Sequence, residues 1–468
     1  MSHTEAVKNK RSRSGGNGGE SVPALFARYV SLNVMGMIGL SCYILADTFF
    51  VSKALGAAGL ASLNLAISVY SIISAAGLMF GIGGATRFAI LKTQGEEEEA
   101  SRVFTWTAAM GLLAGLIFAF LGVFFAGRIA VRLGANSETL EMTSTYLRVI
   151  LCFAPCFILN NVILAFVRND RNPALSMAAM LTGSMGNVIL DYLFMFPLSM
   201  GIFGAAFATG LAPVMSLGVL SLHFIKKKNT FHPAAVRPEL RRSGAVLMPG
   251  LSSFITEVSS GIVLIVFNLV ILNLAGNTGV AAYGIVANLA LVVIAVFTGI
   301  AQGIQPLAST GYGRGDGRML WQVVRYAVGL AVFLAASVYL IVCLFTEPIV
   351  HIFNSEGNRE LVAIAKTGIR LYFTGFLFAG INILAAAFLS AVMRPKLAFI
   401  ISVTRGGAVI IPLVLLLSLA FGMEGVWLSF TLSEFITCLL SVGGVVKCRA
   451  ELFGKSKISY GNEAKNTV

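Results

Sequence analysis

Twelve long apolar stretches divide this chain of 468 residues, and they limit its possible folds more than any other feature. Each is about as long as the roughly 20 residues that an α-helix needs to cross a bilayer. Helices are expected rather than a β-barrel, because short alternating segments do not occur and a backbone in lipid must satisfy its own hydrogen bonds. We predict an all-α polytopic membrane protein with spans 1 to 12 at residues 25–51, 59–86, 104–126, 145–167, 174–196, 201–225, 247–275, 279–309, 326–347, 362–392, 396–420 and 423–447.

The composition excludes several other classes of protein. Hydrophobic residues make up 57% of the chain and charged residues only 12%, whereas an ordinary soluble domain has about 25% charged residues. A soluble enzyme, a disordered chain and a secreted disulfide scaffold are therefore excluded. Histidines and cysteines do not cluster as metal ligands, and no phosphate-binding loop with Gly-Lys-Ser/Thr occurs. We expect neither enzymatic activity nor a cofactor.

The basic residues predict the orientation of the spans. Twelve spans place both chain ends on one side, and 26 of the 34 Lys and Arg residues lie there, against 6 on the opposite side. The other two, Arg148 and Arg405, lie inside predicted spans. This excess predicts a multi-pass protein of the cell inner (plasma) membrane with both termini in the cytoplasm. It also explains the net charge of +13 without a nucleic-acid partner.

The chain divides into two similar halves. Leu55-Gly56 resembles Ala275-Gly276, and Gly201-Ile202-Phe203-Gly204 resembles Gly422-Met423-Glu424-Gly425, about 220 positions later. Because equivalent positions are six spans apart, the halves form a parallel repeat about an axis along the membrane normal. The predicted organisation is a disordered basic cytoplasmic tail (1–24), an N-terminal six-helix lobe (25–225), a cytoplasmic inter-lobe linker (226–246), a C-terminal six-helix lobe (247–447) and a cytoplasmic tail (448–468).

Acidic residues inside spans identify a candidate site, because a charge in hydrocarbon is costly and usually functional. Asp47 of span 1 and Asp191 of span 5 are predicted at similar depth, with Asn187 one helical turn before Asp191 and Thr209 of span 6 at comparable depth. These oxygen ligands could hold Na⁺, and paired carboxylates could equally hold a proton. A static hydrogen-bonded helix contact is the alternative. We predict a coupling-ion (H⁺ or Na⁺) site at Asp47, Asn187, Asp191 and Thr209.

Polar residues elsewhere in the spans are candidates for a substrate cavity. Glu257 lies near the middle of span 7, where it could contact a cationic substrate or a structural partner. Gln302 and Gln305 precede Pro306 in span 8, a position that suits a flexible or cavity-lining helix. The set is completed by two residues of span 4, Asn160 and Asn161. By contrast, we predict that Glu434 and Arg405 form a buried structural pair.

Several motifs in this order resemble the MATE (multidrug and toxic compound extrusion) transporters, in particular the bacterial MepA-like branch. They are Ala46-Asp47-Thr48-Phe49-Phe50-Val51-Ser52, Gly81-Ile82-Gly83-Gly84-Ala85, Arg168-Asn169-Asp170-Arg171-Asn172-Pro173, Asn187-Val188-Ile189-Leu190-Asp191, Gly201 to Thr209, and Gln302-Gly303-Ile304-Gln305-Pro306. The resemblance covers about residues 25–447. It implies two six-helix lobes related by pseudo-two-fold symmetry in a V around a central cavity, with the N-lobe cation site at the four residues named above. Span 10 lacks an internal acid that some relatives have, so a C-lobe ion site is not expected.

The function expected from the residues and the resemblance is secondary active multidrug efflux. Amphipathic, often cationic compounds would be exported in exchange for H⁺ or Na⁺ by alternating access, with the protein acting as a monomer. The alternative is a lipid or lipid-linked oligosaccharide flippase of related architecture. A flippase cavity should be lined by cationic residues that bind phosphates, and Arg148 and Arg405 are the only intramembrane candidates in the sequence. A non-transporting scaffold or receptor is a weaker third alternative.

Overall fold

The computed structural model describes residues 20–236, 240–353 and 358–465, and their regular elements are all helical. Most of the predicted N-terminal tail therefore lies outside the described residues. Within the described part, eight helices are long and apolar enough to cross a membrane, and two further spans consist of bent helix pairs. Two of the eight are of double length and reverse at a glycine, which gives the twelve predicted spans.

The helix bounds agree with the predicted spans but are generally longer. Span 1 is Val22–Gly56, span 2 Ala58–Thr93, span 3 Glu97–Arg132, span 5 Pro173–Met195, span 6 Gly201–Ile225 and span 9 Gly317–Leu344. Span 4 consists of Leu140–Cys152 and Ala154–Asn169, and span 10 of Arg359–Thr374 and Phe376–Ala391. Spans 7 and 8 form one helix, Leu240–Arg314. Spans 11 and 12 comprise Pro395–Val403, the π-helical turn Thr404–Ala408 and Ile410–Lys465. A short helix, Thr346–Phe353, follows span 9.

Glycines with positive φ reverse the double-length helices. A straight helix of 75 residues would be about 110 Å long, far more than a bilayer is thick. Gly276 (φ 59°, ψ −153°) separates span 7 from span 8, and Gly56 (φ 63°, ψ −154°) separates span 1 from span 2. Only glycine adopts this backbone region without strain. A single residue therefore turns the chain back into the membrane.

The positive-φ residues also display the internal repeat. Four such positions in the first half have a positive-φ equivalent 220 to 222 positions later in the second half. The pairs are Gly56 and Gly276, Gly95 and Gly315, Arg171 and Met393, and Gly201 and Gly422. The bends inside spans 4 and 10, at 45° and 43°, follow the same spacing. The sequence repeat therefore corresponds to a repeat of backbone geometry.

Two large cores form, one mainly from spans 1 to 6 and one mainly from spans 7 to 12. The first turns of span 1 pack against the C-terminal lobe: Tyr29 and Val30 belong to the second core. Spans 2 and 7 touch backbone to backbone: a Cβ atom on Gly83 or Gly250 would lie 1.9 Å from a carbonyl oxygen of the other span. The lobes are thus in close contact on the side that carries both chain ends.

The predicted linker has structure of its own. Helix begins at Leu240, so the last residues of the linker already belong to span 7. Before that, Phe231 is only 1% exposed and contacts Phe88, Phe104 and Phe166 of the N-terminal lobe. The first part of the linker is therefore packed onto the N-terminal lobe. At the other end of the chain, the helix of span 12 continues through Lys465 into the predicted C-terminal tail.

Candidate functional site

The acidic residues of spans 1 and 5 come together inside the N-terminal lobe. Asp191 is fully buried and Asp47 is 7% exposed, and the two carboxylates lie close enough for their charges to interact. Oδ1 of each lacks a hydrogen-bond partner among the described residues. Buried carboxylate oxygens without a donor favour capture of a cation, because an unpaired buried charge is costly.

The two polar residues predicted beside this pair are also in place. In the amide orientation that satisfies both neighbours, Asn187 donates to Asp191 Oδ2 at 3.0 Å and accepts from the Thr209 backbone N–H at 3.2 Å. The Thr209 hydroxyl is buried and has no protein partner among the described residues. The structure therefore brings Asp47, Asn187, Asp191 and Thr209 into one oxygen-rich site across spans 1, 5 and 6.

Three tyrosines near this site were not predicted from the sequence. Tyr43 lies one helical turn before Asp47, and its hydroxyl is 3.3 Å from the hydroxyl of Tyr70. Tyr146 of span 4 is 4% exposed and feels the charges of Asp47 and Asp191. The spacing of Tyr43 and Asp47 on one helical face was the available signal. Tyr146 gave no such signal, because its position depends on how span 4 bends.

A central cavity between the lobes has two adjoining compartments, which share Glu257, Gln302 and Arg168 in their walls. The compartment on the N-lobe side has a volume of about 280 Å³ and includes Asn160 and Asn161. The compartment on the C-lobe side, which we call the C-lobe chamber, has a volume of about 150 Å³. It is lined by Gln305 and by Asn382 and Arg405 of the C-terminal lobe. All five predicted cavity residues therefore line the cavity.

Both glutamines of span 8 also bond to the opposite lobe. Arg168 Nη1 donates to Gln302 Oε1 at 2.7 Å and to Asn33 Oδ1 of span 1 at 2.9 Å. Asn169 Nδ2 donates to Gln305 Oε1 at 3.1 Å, and Gln305 Nε2 donates to Thr86 Oγ1 of span 2 at 2.8 Å. The bond to Asn33 lies within the N-terminal lobe, and the other three cross between the lobes; we call those three bonds the inter-lobe clasp. They fasten span 8 to the N-terminal lobe on the side of the cavity that is nearer the chain ends.

The position of Arg168 corrects a prediction from the sequence. The predicted end of span 4 placed it among the solvated basic residues of the inner side, but it is 2% exposed and lines the cavity. The other lobe covers it, and hydropathy along the chain does not register such burial. Arg148, the other arginine counted inside a span with Arg405, is exposed on the surface of its helix and does not line the cavity. Two arginines, Arg168 and Arg405, thus face the cavity.

A second polar cluster lies beyond the spans, in the connection after span 4. Asp170 accepts from Lys92 at 2.5 Å, from the Thr230 backbone N–H at 2.8 Å and from His223 Nε2 at 2.9 Å. Asn172 donates to His223 Nδ1, so the imidazole proton is on Nε2. Burial raises the pKa of Asp170, but these hydrogen bonds outweigh burial and hold the pKa below its usual value. The cluster fastens the linker to the N-terminal lobe.

The predicted pair in the C-terminal lobe is present. Arg405 Nε donates to Glu434 Oε1 at 2.7 Å, and Asn382 Nδ2 donates to Glu434 Oε2 at 2.7 Å. Glu257 differs from Glu434, because it has no hydrogen bond or ion pair with any described residue. Among the described residues, no group of three or more His, Cys, Asp or Glu side chains could hold a metal ion.

Comparison with known proteins agrees with this architecture. The MatE family model matches residues 34–193 and 251–436. Multidrug export protein MepA of Staphylococcus saprophyticus is 26% identical over 424 residues, covering 90% of this chain and 93% of the relative. Multidrug export protein MepA of Staphylococcus haemolyticus is 27% identical over 412 residues, covering 88% and 90%.

Solved structures share the fold at low sequence identity. An outward-facing multidrug resistance MATE family transporter of the MOP superfamily superposes with a TM-score of 0.87 at 22% identity, covering 93% of this chain and 97% of that one. A MOP superfamily transporter from Pyrococcus furiosus, described as having a binding pocket of reverse polarity, superposes with a TM-score of 0.85, also at 22% identity, covering 92% and 97%. The predicted fold class is confirmed. Since the family model matches both halves of the repeat and well over half of the residues, this chain belongs to the MatE family.

Proposed function

We propose that this protein is a secondary active multidrug efflux antiporter, which exports amphipathic, often cationic compounds in exchange for H⁺ or Na⁺. The observation that carries the proposal is the buried pair Asp47 and Asp191, each with an Oδ1 that has no donor among the described residues, beside a cavity lined by both lobes. The names of the staphylococcal relatives support multidrug export. The coupling cation is a transported substrate, and no cofactor is required.

The geometry suggests how one cation affects drug binding. Capture of H⁺ or Na⁺ at Asp47 and Asp191 neutralises part of a costly buried charge. Tyr43 links this site to the cavity, because it lies one turn from Asp47 and lines the N-lobe compartment. A change in packing of span 1 on cation binding would therefore alter the wall that a drug contacts.

Glu257 is the proposed counter-charge for a cationic drug. It lines both compartments and has no ion pair among the described residues, so its charge is available to a ligand. Apolar and aromatic neighbours, including Phe157, Met37 and Leu291, supply a broad contact surface. Such a surface suits a promiscuous binder.

Alternating access requires the lobes to separate on the side that is closed here. We propose that this side is cytoplasmic, with both termini in the cytoplasm, and that the protein works as a monomer in the cell inner (plasma) membrane. The inter-lobe clasp and the backbone contact of Gly83 with Val246 must break when the cavity opens inward.

Transport in proteoliposomes tests the proposal. Purified protein should export ethidium under an imposed pH gradient or an imposed Na⁺ gradient, and the effective gradient identifies the coupling ion. Asp191→Asn and Asp47→Asn should abolish gradient-driven export while the protein still inserts. Glu347→Gln is the matched control, because this acid lies in an exposed ion pair with Lys366. Normal export by both Asn variants would refute the site assignment.

One observation favours the flippase alternative, namely that Arg168 and Arg405 both line the cavity. Arg405 is paired with Glu434, however, and Glu257 adds a negative charge to the same space. If neither gradient drove ethidium transport and the protein moved a labelled lipid-linked substrate, the flippase alternative would be correct.

A further inference from the structure

Arg405 presents an unused edge of its guanidinium group to the C-lobe chamber. Its Nε donates to Glu434, and neither Nη1 nor Nη2 has a partner among the described residues. The side chain is 13% exposed and lines the chamber. An arginine fork with free η nitrogens matches the geometry of a carboxylate. The pairing with Glu434 therefore leaves a second, accessible binding edge.

The local helix geometry holds Arg405 in this position. It lies in the π-helical turn Thr404–Ala408, and such turns are frequent at functional sites. On one side of it, Thr256 of span 7 donates to the Ser402 hydroxyl at 3.1 Å. On the other side, Gly406 packs so closely on Ser259 that an added Cβ would lie 2.5 Å from its side chain. Spans 7 and 11 are thus in contact on both sides of Arg405.

Glu434 does not line the chamber, and other residues of the C-terminal lobe hold it in place, so it orients Arg405 without occupying the chamber. It is 2% exposed and accepts from Asn382 Nδ2. Asn382 Oδ1 in turn accepts from Ser441 at 2.8 Å. Each member of this chain is held by its neighbour, and a guanidinium oriented in advance loses less entropy when it binds a ligand.

The same chamber contains a charge of the opposite sign. Glu257 lines it together with the hydroxyl residues Ser252, Thr256 and Ser402. We propose that Arg405 binds the carboxylate of zwitterionic amphipathic substrates while Glu257 binds their cationic group. This inference rests on the proposed transport function and makes Arg405 the residue that determines whether a carboxylate is accepted.

Two fluorescent probes that differ only at the carboxylate test this proposal. Tetramethylrhodamine is a zwitterion at neutral pH, and its methyl ester is a cation. Binding of each to the full-length protein in nanodiscs is measured by fluorescence anisotropy, and the result is the ratio of the two affinities. In the double variant Arg405→Gln/Glu434→Gln, which removes the pair without leaving a lone buried charge, the acid-to-ester affinity ratio should fall about tenfold or more.

Two single variants complete the design. Glu434→Gln alone leaves Arg405 charged and unpaired, so the acid-to-ester ratio should be equal to or higher than that of the wild type. Arg405→Lys keeps the charge but lacks the fork, so the ratio should fall by a smaller factor. This variant also serves if the double variant does not fold.

The outcomes separate this inference from the proposed function. An unchanged ratio in both Arg405 variants would overturn the inference, and so would equal loss of both probes by folded protein, which would indicate a purely structural pair. Gradient-driven transport of the ester by the wild type is measured in parallel. Failure of that transport contradicts the proposed function, whereas the affinity ratio reports on Arg405 alone.

Discussion

Replacing Gln305 by alanine should shift the protein toward a state that is open on the side of the chain ends. Gln305 is 2% exposed, and both hydrogen bonds of its amide cross between the lobes, to Asn169 at 3.1 Å and Thr86 at 2.8 Å. Once the lobes separate, water can satisfy the same groups. The bonds therefore stabilise the closed state selectively, and their removal should change the equilibrium between the two states.

The size of the shift follows from the bonds that are lost. A typical intramolecular hydrogen bond contributes about 1 kcal/mol net. Asn169 Nδ2 keeps its bond to the Ala165 carbonyl oxygen, so the total loss is about 2 kcal/mol at most. That corresponds to about a 30-fold change in the equilibrium constant. A population that is about 95% closed would become about 40% closed.

Distances between spin labels on opposite lobes measure this population. Gln94 follows span 2 and Arg318 lies at the start of span 9, and both are exposed on the side of the chain ends. Cysteines at these positions, in a background without the six native cysteines, carry the labels for double electron–electron resonance. Gln305→Ala should add a longer-distance population in proteoliposomes.

A matched control lies one helical turn away. Ser309 is buried and donates only to the Gln305 carbonyl oxygen, within its own helix. Ser309→Ala therefore removes a hydrogen bond of similar strength that does not cross between the lobes, and it should leave the distances unchanged. If Gln305→Ala gave the wild-type distribution, or if both variants shifted it equally, the clasp would not be what holds the lobes together.

Three further predictions concern other parts of the molecule. Gly250→Ala would place a Cβ 1.9 Å from the Met79 carbonyl oxygen, so it should also favour separation of the lobes and lengthen the same spin-label distances. Asp170→Asn should lower the unfolding temperature, measured by intrinsic fluorescence. Because the pKa of Asp170 is lowered on folding, the difference in unfolding temperature between wild type and variant should be complete above about pH 4. It should vanish as the pH falls through the folded-state pKa. Glu257→Gln should weaken ethidium binding about tenfold and leave the binding of a neutral analogue little affected, because only the cation loses a counter-charge. Fluorescence anisotropy measures both affinities.

The sequence predicted the features that depend on solvent and on local backbone chemistry. The spans follow from apolar length, and Leu55-Gly56 and Ala275-Gly276 were identified as matching positions of a repeat. The structure adds that the chain reverses at both glycines, in a backbone region that only glycine adopts without strain. Asp47 and Asp191 could be grouped because depth in a membrane can be counted along each helix. The cavity residues could be selected because polar groups in spans are rare.

Contacts between distant parts of the chain could not be predicted in the same way. Arg168 lies at a helix end, where a basic residue usually reaches water, and its burial depends on Gln302 of the other lobe. One partner of Asp170 is Thr230, 60 residues away in the linker. Neither contact has a periodicity along the chain. The first exists because the two halves fold against each other, and the second because the linker packs back onto the N-terminal lobe.

The repeat also shows why one lobe has the acidic site and the other does not. At the spacing of the repeat, Asp47 corresponds to Phe267, and Thr209 corresponds to Phe430. Both phenylalanines are buried in the C-lobe core, and Phe430 stacks on Tyr372 with ring centroids 4.0 Å apart. At these two positions rings fill the space where the first lobe holds a carboxylate and a hydroxyl, so a matching cation site could not form there without removing a large buried apolar area. The backbone geometry therefore repeats between the lobes, whereas the carboxylate of Asp47 and the hydroxyl of Thr209 do not.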